Sequence, residues 1–453
     1  MHSVLPHVLK VIKPTKEEAE LEGKFCHLMV SYIQASVPKG CKAVLTGSMA
    51  KGTFLRDKRD VDIFVLFDRS VPRERLEPSI RHIMHVAFPG VGYQMSYAEH
   101  PYARFHFEGR RLDLVPAYRI SDASERLSAV DRSVLHTSFV LKNLRPGQAG
   151  DVLLLKQFLK ASGMYGAEIK TAGFSGYLCE LLVIHYGGFA NLVKAAAKWK
   201  TPMLIEPGSG KSSEKAKKQI KNKKTPKSAS AGAGGVGGVG GASESARFES
   251  SFVVVDPTDA NRNVAAAVSP ENLKRFIGIC RRFAAKPSKS FFFTKPETFE
   301  ERAARASRGK KLILLSMPRP EIVDDVLWGQ LHKMNGQLER HLTDLGFAPK
   351  AILAEDTRHL VRLAIILDSD ALPATMLVEG PPLEMKKHAE QFKKSHKKAK
   401  FTIKKKRLYA TVRRPVVKAE DAIMQFFHSF SKTKSHLAYH EEMLILERPS
   451  QGR

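Results

Sequence analysis

Two aspartates one residue apart, Asp60 and Asp62, open a run of β-forming residues that continues to Phe67. Because side chains alternate between the two faces of a strand, both carboxylates face one side, while the apolar residues between and after them face a core. Neighbouring carboxylates repel each other, and divalent cations held between them relieve that repulsion. The spacing therefore predicts a metal site at the start of this strand.

A small turn with a nearby lysine precedes the two aspartates. Gly47 and Ser48 form the turn, and Lys51 follows it after two residues. The backbone N–H groups of such a turn can bind phosphate oxygens, and the lysine adds a positive charge. Phosphate donors beside a carboxylate pair that binds divalent metal favour nucleotidyl transfer as the chemistry of this region.

A third carboxylate, Asp113, lies in the middle of a second short β-pattern over residues 110–118. Two Mg²⁺ ions about 4 Å apart need carboxylates from more than one strand to bridge them. A single Asp in a strand is more often an exposed edge residue. The prediction of two Mg²⁺ ions on Asp60, Asp62 and Asp113 therefore depends on all three lying together.

The composition restricts the class of partner. The 453 residues carry 74 Lys and Arg against 46 Asp and Glu, a net charge of +28, which indicates a polyanion or an anionic membrane surface. Since no run of 18 or more apolar residues and no signal-peptide pattern is present, we expect no membrane partner, and nucleic acid is the favoured polyanion. Four widely spaced cysteines with no Cys/His cluster argue against a zinc site and fit the reducing cytoplasm.

The elements that must position these residues form a small mixed sheet with helices. Helix patterns cover residues 15–36 and 76–88, and β-patterns cover 42–47, the aspartate strand, 94–107 and 110–118. After about residue 133 the pattern becomes helical. There we expect a helix over 151–163 and one long core helix over 174–199.

The rest of the chain alternates between low-complexity, mixed and basic segments. Residues 211–227 contain eight lysines against one Glu, and the surrounding stretch is rich in Gly and Ser, so residues 207–248 are predicted to be a disordered insertion. From 311 the order strand, helix, strand, strand predicts a helix covering a sheet. Residues 386–418 hold fourteen Lys or Arg against one Glu, with interleaved aromatics, a composition that suits an RNA backbone.

These patterns together predict an α+β fold in six segments. The expected division is a catalytic domain (1–132), a helical central domain (133–206), the insertion (207–248), the remainder of the central or neck region (249–310), an α+β body (311–380) and a basic tail (381–453).

The motif GSMAKGT, the DVDIF strand and the LDLVP strand resemble the catalytic domain of the DNA polymerase β nucleotidyltransferase superfamily. Further blocks at 98–105, 128–140, 156–182, 254–269 and 320–331, in that order, are similar to the archaeal, class I CCA-adding enzymes, which are tRNA nucleotidyltransferases. The similarity is dense to about residue 370 and thins toward the C-terminus.

The resemblance implies a polymerase-β-like head, template-independent addition of C, C and A to the tRNA 3′ end, and CTP and ATP as substrates. It implies tRNA contacts at the acceptor stem, whereas contacts of the basic tail to the tRNA elbow are expected from its charge alone, and a homodimer is compatible with it. By position it assigns the metal carboxylates to Asp60, Asp62 and Asp113. It assigns the nucleotide contacts to the following residues: Gly47, Ser48, Lys51, His136, Lys156, Tyr165 and Arg262.

Two alternatives remain open from the sequence. One is another nucleotidyltransferase of the same superfamily, such as a poly(A)-adding enzyme, although the net charge argues against a small-molecule acceptor. The other is a catalytically dead RNA-binding relative, against which the presence of all three carboxylates argues. Residues 207–248 have no role that the sequence assigns beyond added positive charge.

Overall fold

The structure is a computed structural model that describes residues 1, 3–97, 100–207, 250–295 and 297–448. The chain divides into two compact units, Met1–Pro296 and Glu297–Arg453, and each is taken by itself below. Apart from Pro207, the predicted insertion lies outside the described residues. The six segments predicted from the sequence stay a prediction within this coarser division.

The first part of unit 1 is a five-stranded mixed sheet with the strand order β1-β2-β5-β4-β3. Strand β2 pairs antiparallel with β1 and parallel with β5, so it lies inside the sheet. The strands are β1 (Lys42–Thr46), β2 (Val61–Phe67), β3 (Tyr93–Tyr97), β4 (Pro101–Phe107) and β5 (Arg110–Tyr118). The predicted pairing of the 94–107 and 110–118 patterns is confirmed.

Helix α1 (Val4–Ile12) packs into the apolar core of the second part of unit 1, described below. Three helices belong to the same part as the sheet, and they are α2 (Lys16–Ser36), α3 (Gly47–Lys51) and α4 (Leu76–Ala87). Helix α2 begins with a capping box between Thr15 and Glu18, which satisfies two backbone N–H groups at its start. Helices α2 and α4 cover one face of the sheet, and the alternate residues of β2 that were predicted to face a core are at most 1% exposed.

The second part of unit 1 is a helical layer around one large apolar core. Its helices are α5 (Arg132–Asn143), α6 (Gln148–Ala161), α7 (Gly176–Tyr186), α8 (Phe189–Ala196), α9 (Pro270–Ala285) and α10 (Ser290–Phe293). A three-stranded sheet of order β6-β7-β8 joins them, formed by β6 (Met203–Ile205), β7 (Phe252–Asp256) and β8 (Asp259–Asn263). Aromatic side chains, including Phe158, Phe174, Phe276 and Phe283, fill the centre of this core.

The single helix expected over 174–199 is wrong. The structure has two helices, α7 and α8, separated by Gly187 and Gly188 with φ of +75° and +145°. Glycine adopts these angles without the steric cost that other residues incur, so the chain can turn there. The apolar pattern continues across the turn because both helices pack in the same core, which is why periodicity alone did not reveal the break.

Unit 2 contains two separate sheets. The elements are α11 (Phe299–Ala306), β9 (Lys311–Pro318), α12 (Asp324–Asp344), β10 (Pro349–Asp356), β11 (Leu360–Leu367), β12 (Thr375–Pro382), α13 (Lys386–Ser395), β13 (Lys400–Lys404), β14 (Arg407–Arg413), α14 (Ala419–Phe430) and β15 (Ile445–Glu447). A four-stranded sheet has the order β10-β11-β9-β15, and α12 and α14 cover it. A three-stranded sheet has the order β12-β14-β13 and packs against α13. The predicted α+β class is confirmed.

Candidate active site

The aspartates of two neighbouring strands stand side by side in the sheet. Asp62 is the second residue of β2, and its register partner on the parallel strand β5 is Asp113. Adjacent strands lie about 4.8 Å apart, so the two residues are close neighbours. Asp60 comes immediately before β2, and its side chain lines the same cavity as that of Asp62. The sheet therefore brings the three predicted carboxylates to one place.

Two arginines neutralise the outer carboxylates of this group. Arg104, the register partner of Asp113 on β4, holds it in a bidentate pair with N–O distances of 2.8 and 2.7 Å. Arg111 donates to Asp60 at 2.6 Å, and Lys58 lies 3.6 Å from the same oxygen. Asp62 has no such pair among the described residues, so the central carboxylate is the least compensated of the three.

The acidity of Asp62 reflects this arrangement. Burial, followed by the charges of Asp113 and Asp60, raises the pKa of Asp62 to about 6, against a weaker opposing effect of Arg111 and Lys51. A carboxylate whose ionised form is disfavoured by like charges gains most from a cation at the same position. The electrostatics of the site are those of an incompletely neutralised anionic group.

A cavity of about 300 Å³ opens beside these aspartates. This volume is at the lower end of the range of small-molecule sites. Seven of the ten residues predicted for the site line it: Gly47, Ser48, Lys51, Asp60, Asp62, Lys156 and Tyr165. Residues that the sequence did not predict also line it, among them Thr53, Arg111, Tyr177 and Glu180.

A buried carboxylate on α7 organises the cationic wall of this cavity. Glu180, 1% exposed, accepts from Lys51 at 2.6 Å and from the Thr53 hydroxyl at 2.6 Å, and lies 3.5 Å from the ammonium of Lys156. Lys156 also donates to the backbone carbonyl of Thr53 at 2.8 Å. Two lysines against one glutamate leave a net positive charge, which suits an anionic group such as a triphosphate.

Tyr165 lies at the same wall, near the lysines. The Tyr165 hydroxyl lies 3.3 Å from the position that a Cβ on residue Gly176 would occupy. The Lys58 ammonium lies 5.8 Å from the centroid of the Tyr165 ring. Burial raises the pKa of the Tyr165 hydroxyl, so the group stays neutral and can donate a hydrogen bond at physiological pH.

The other two predicted nucleotide contacts meet in a second cluster. His136 on α5 and Arg262 on β8 both contact one carboxylate oxygen of Asp256, each at 2.9 Å. Neither lines the cavity, but Tyr177 does, and its ring stacks on His136 with centroids 4.1 Å apart and planes 20° apart. Tyr177 thus connects the second cluster to the cavity.

The residues present fit a divalent cation. Carboxylate oxygens are the donors that Mg²⁺ and similar hard ions prefer. Burial and the charges of Asp113 and Asp60 raise the pKa of Asp62, and a cation at this position would stabilise its ionised form. As they stand, no three His, Cys, Asp or Glu side chains in the described ranges are grouped as a ready metal site. Arg104 and Arg111 pair with two of the three carboxylates, and those pairs must loosen for the carboxylates to act as ligands.

Sequence reasoning missed Glu180, Tyr177 and Asp256. Glu180 and Tyr177 fall within an apolar helix pattern, where polar residues usually mark the solvent face, and Asp256 ends a β-run before a proline. A charged residue inside a strongly apolar helix pattern is a usable signal, because a buried charge requires a partner. That signal points to Glu180 but not to its partners.

Three family models match consecutive parts of the chain. They are described as "Nucleotidyltransferase domain" (residues 31–136), "tRNA nucleotidyltransferase, second domain" (150–293) and "CCA-adding enzyme, C-terminal domain" (308–438). The first range contains the five-stranded sheet, so the predicted nucleotidyltransferase head is confirmed.

Curated proteins named CCA-adding enzyme are similar to the chain along most of its length. The protein of Methanocaldococcus jannaschii is 34% identical over 407 residues, which cover 88% of this chain and 85% of that protein. That of Halobacterium salinarum is 35% identical over 398 residues, covering 86% and 80%. That of Methanothermobacter thermautotrophicus is 32% identical over 406 residues, covering 86% and 81%.

Proposed function

The chain belongs to the CCA-adding enzyme family, and on that premise we propose that the cavity beside β2 is where it transfers nucleotides to tRNA. The protein is a tRNA nucleotidyltransferase that adds C, C and A to the tRNA 3′ end from CTP and ATP, releasing pyrophosphate. The proposal concerns the residues that do this and the role of each.

The proposal depends on one observation. Asp62 and Asp113 are register partners, and Lys51 and Lys156 line the cavity beside them. Nucleotidyl transfer needs anionic ligands for cations next to cationic groups for a triphosphate. The pairing supports the proposal because carboxylates that could bind cations lie next to lysines that could bind a triphosphate.

Divalent metal ions are a general requirement of nucleotidyltransferases. We propose Mg²⁺ as the ion, two per site, held by Asp60, Asp62 and Asp113. When bound, such ions lower the pKa of the tRNA 3′-hydroxyl and neutralise the triphosphate and the leaving pyrophosphate. The pairs made by Arg104 and Arg111 support the assignment, because they show that positive charge is accommodated against the oxygens of Asp113 and Asp60.

The chain's own groups bind and orient the nucleotide. Lys51, Ser48 and the backbone of the Gly47 turn hold the β- and γ-phosphates, with Lys156 and Tyr165 as further contacts. His136 is a further nucleotide contact, and Arg262 helps to read the base. Positioning of the 3′-hydroxyl in line with the α-phosphate and stabilisation of the developing charge supply most of the rate acceleration.

Partners follow from the same reaction. tRNA and nucleoside triphosphates are the substrates of CCA-adding enzymes, and we propose contacts to the tRNA acceptor stem within unit 1 and to the elbow through the basic tail. No helix of the described residues is long and apolar enough to cross a membrane. A cytoplasmic location and a homodimer stay predictions.

The test is incubation of tRNA that lacks its CCA end with labelled CTP, ATP and Mg²⁺. We expect three added nucleotides and then a stop, and no addition by Asp62→Ala, whose tRNA binding should stay within a few-fold of wild type. A long homopolymer from ATP alone would indicate a poly(A)-adding enzyme instead. Incorporation by Asp62→Ala at near wild-type rate would contradict the assignment of the metal ligands.

A further inference from the structure

A buried carboxylate outside the cavity contacts two of the predicted nucleotide-binding residues, His136 and Arg262. The side chain of Asp256, at the end of β7, is 0% exposed. One of its oxygens accepts from Arg262 and contacts His136, both at 2.9 Å. The other accepts from the Tyr177 hydroxyl at 3.1 Å and from the backbone and hydroxyl of Thr258 at 2.9 Å. Both carboxylate oxygens therefore have more than one hydrogen-bond partner.

This carboxylate is ionised despite its burial. Burial raises the pKa of Asp256, but the hydrogen bonds of His136, Thr258 and Arg262 outweigh it and hold the pKa below its ordinary range. The His136 imidazole contributes as a hydrogen-bond donor, because burial lowers its own pKa. A buried charge with so many partners fixes each of them, since any that moved away would leave the charge less compensated. The cluster is therefore a rigid unit.

Tyr177 brings that unit to the wall of the cavity. Its ring lines the cavity, stacks on His136 and is tethered at its hydroxyl by Asp256. Arg262 is bound to Asp256 through Nη1, and 33% of its side chain is exposed, so part of the guanidinium remains open to a ligand.

We propose that Asp256 is a positioning residue for base recognition, which holds Tyr177, His136 and Arg262 in one preformed arrangement toward the incoming nucleotide. The proposal rests on the nucleotidyl transfer proposed above and on the base contact of Arg262. Cytosine and adenine both present a ring-nitrogen acceptor on their pairing edge, whereas uracil and guanine present an N–H donor there. A guanidinium held in a fixed direction favours cytosine and adenine, because its N–H group can donate to their ring nitrogen. Opposite uracil or guanine two N–H donors would face each other, and neither would have an acceptor.

Asp259, three residues further on, provides a matched control. It is also buried, lies on the same hairpin and pairs with Arg132 of α5 at 2.8 Å and with Arg126 at 3.4 Å. It contacts none of Tyr177, His136 and Arg262 in the described residues. Asp259→Asn therefore weakens the connection of the hairpin to α5 without removing the anchor of the base contacts.

The experiment compares Asp256→Asn and Asp259→Asn on tRNA lacking its CCA end, with kcat and KM for CTP and ATP and misincorporation of UTP and GTP. We expect Asp256→Asn to raise the KM for CTP and ATP more than it lowers kcat. We also expect it to raise UTP and GTP incorporation relative to CTP and ATP by about tenfold, the effect of losing one charged hydrogen bond. The Asp259→Asn variant should discriminate against UTP and GTP as strongly as the wild type does.

A milder variant keeps the test valid if Asp256→Asn does not fold. Tyr177→Phe removes only the hydroxyl that donates to Asp256, and it should shift discrimination in the same direction by about threefold. Unchanged discrimination in a folded Asp256→Asn or in Tyr177→Phe, or an equal loss in Asp259→Asn, would overturn the proposal. A wild-type protein that adds no CCA would instead refute the proposed function, so the two failures are distinguishable.

Discussion

At the scale of single residues, Gly47 shows how closely the start of α3 approaches β2. Gly47 has a φ of +68°, and a Cβ built there would overlap the Asp62 carboxylate oxygen and lie 3.0 Å from its Cγ. Thr46, directly before it, donates from its hydroxyl to the backbone carbonyl of Asp62. The turn and the central carboxylate are therefore in direct contact, and only a residue without a side chain fits between them.

Gly47→Ala should abolish catalysis, because the new methyl group displaces the Asp62 carboxylate from its position. We expect kcat to fall by more than about 100-fold, since small misplacements of catalytic groups have effects of this size. Gly52→Ala is the control. Gly52 also has a positive φ, +64°, but nothing lies within 4 Å of its Cβ position, so this variant incurs only the backbone strain of about 1 kcal/mol. Equal activity of the two variants would contradict the close approach.

At the scale of secondary-structure elements, Glu180 joins three of them. It lies on α7, and its partners are Lys51 at the end of α3, Thr53 in the loop after it, and Lys156 on α6. Lys156 and Lys51 lower the pKa of Glu180 below its ordinary value although burial acts in the opposite direction. The head and the helical part of unit 1 are thus connected by one buried ionic cluster at the cavity wall.

Glu180→Gln should destabilise unit 1 by on the order of 3 kcal/mol at pH 7, because two buried lysines lose their counter-charge. A carboxylate whose pKa is lowered on folding stabilises above its unfolded pKa, near 4.5, and that stability is lost as the pH falls through the folded pKa. The difference between the variant and wild type should therefore be full at pH 7 and shrink as the pH falls below 4.5. Urea unfolding at several pH values measures it.

Glu22→Gln is the matched control for that prediction. Glu22 is also 1% exposed and pairs with two cations, Arg59 and Arg110, but it lines no part of the cavity. We expect both variants to lose stability, and only Glu180→Gln to lower kcat/KM for CTP and ATP by about tenfold at a temperature where both are folded. A normal kcat/KM in Glu180→Gln would show that the cluster is structural only.

Elements were easier to predict from the sequence than contacts. The helix over 15–36, the aspartate strand and the paired strands were found because capping and alternation are signals within about 20 residues. The break between α7 and α8 was missed because the apolar pattern runs through it. Lys51 and Glu180 are 129 residues apart, and His136 and Asp256 are 120 apart. Pairings at such separations are set by the fold, and no local pattern records them.

At the scale of the whole molecule, the excess of positive charge coincides in unit 2 with a sheet face on which the residues of β13 are exposed. Strand β13 alternates Lys400, Thr402 and Lys404 on one face with Phe401 and Ile403 on the other. Helix α13 packs on the second face, where Phe392 contacts Phe401. The opposite face carries Tyr409, the register partner of Thr402. A sheet face with lysines around an aromatic ring suits a phosphate backbone and an unstacked base.

Changing Lys400 and Lys404 together to alanine should weaken tRNA binding and its dependence on salt. Removing one lysine–phosphate interaction lowers the slope of log K against log salt concentration by about 0.7 to 0.9, so removing two lowers it by roughly 1.5. Binding titrations between 50 and 200 mM salt, a range in which affinities that depend on phosphate binding fall steeply, measure this slope.

Lys350→Ala tests whether any loss of charge has the same effect. Lys350 belongs to the other sheet of unit 2 and is paired with Asp368 at 2.7 Å, so it is not free to contact a phosphate without breaking that pair. We expect its salt slope to match wild type, while turnover of the Lys400/Lys404 variant at saturating tRNA stays near wild type because neither lysine lines the cavity. Lys350→Ala would contradict this expectation if it lowered the salt slope as much as the loss of Lys400 or Lys404 does. The positive charge would then act as a diffuse field and not through the β13 face.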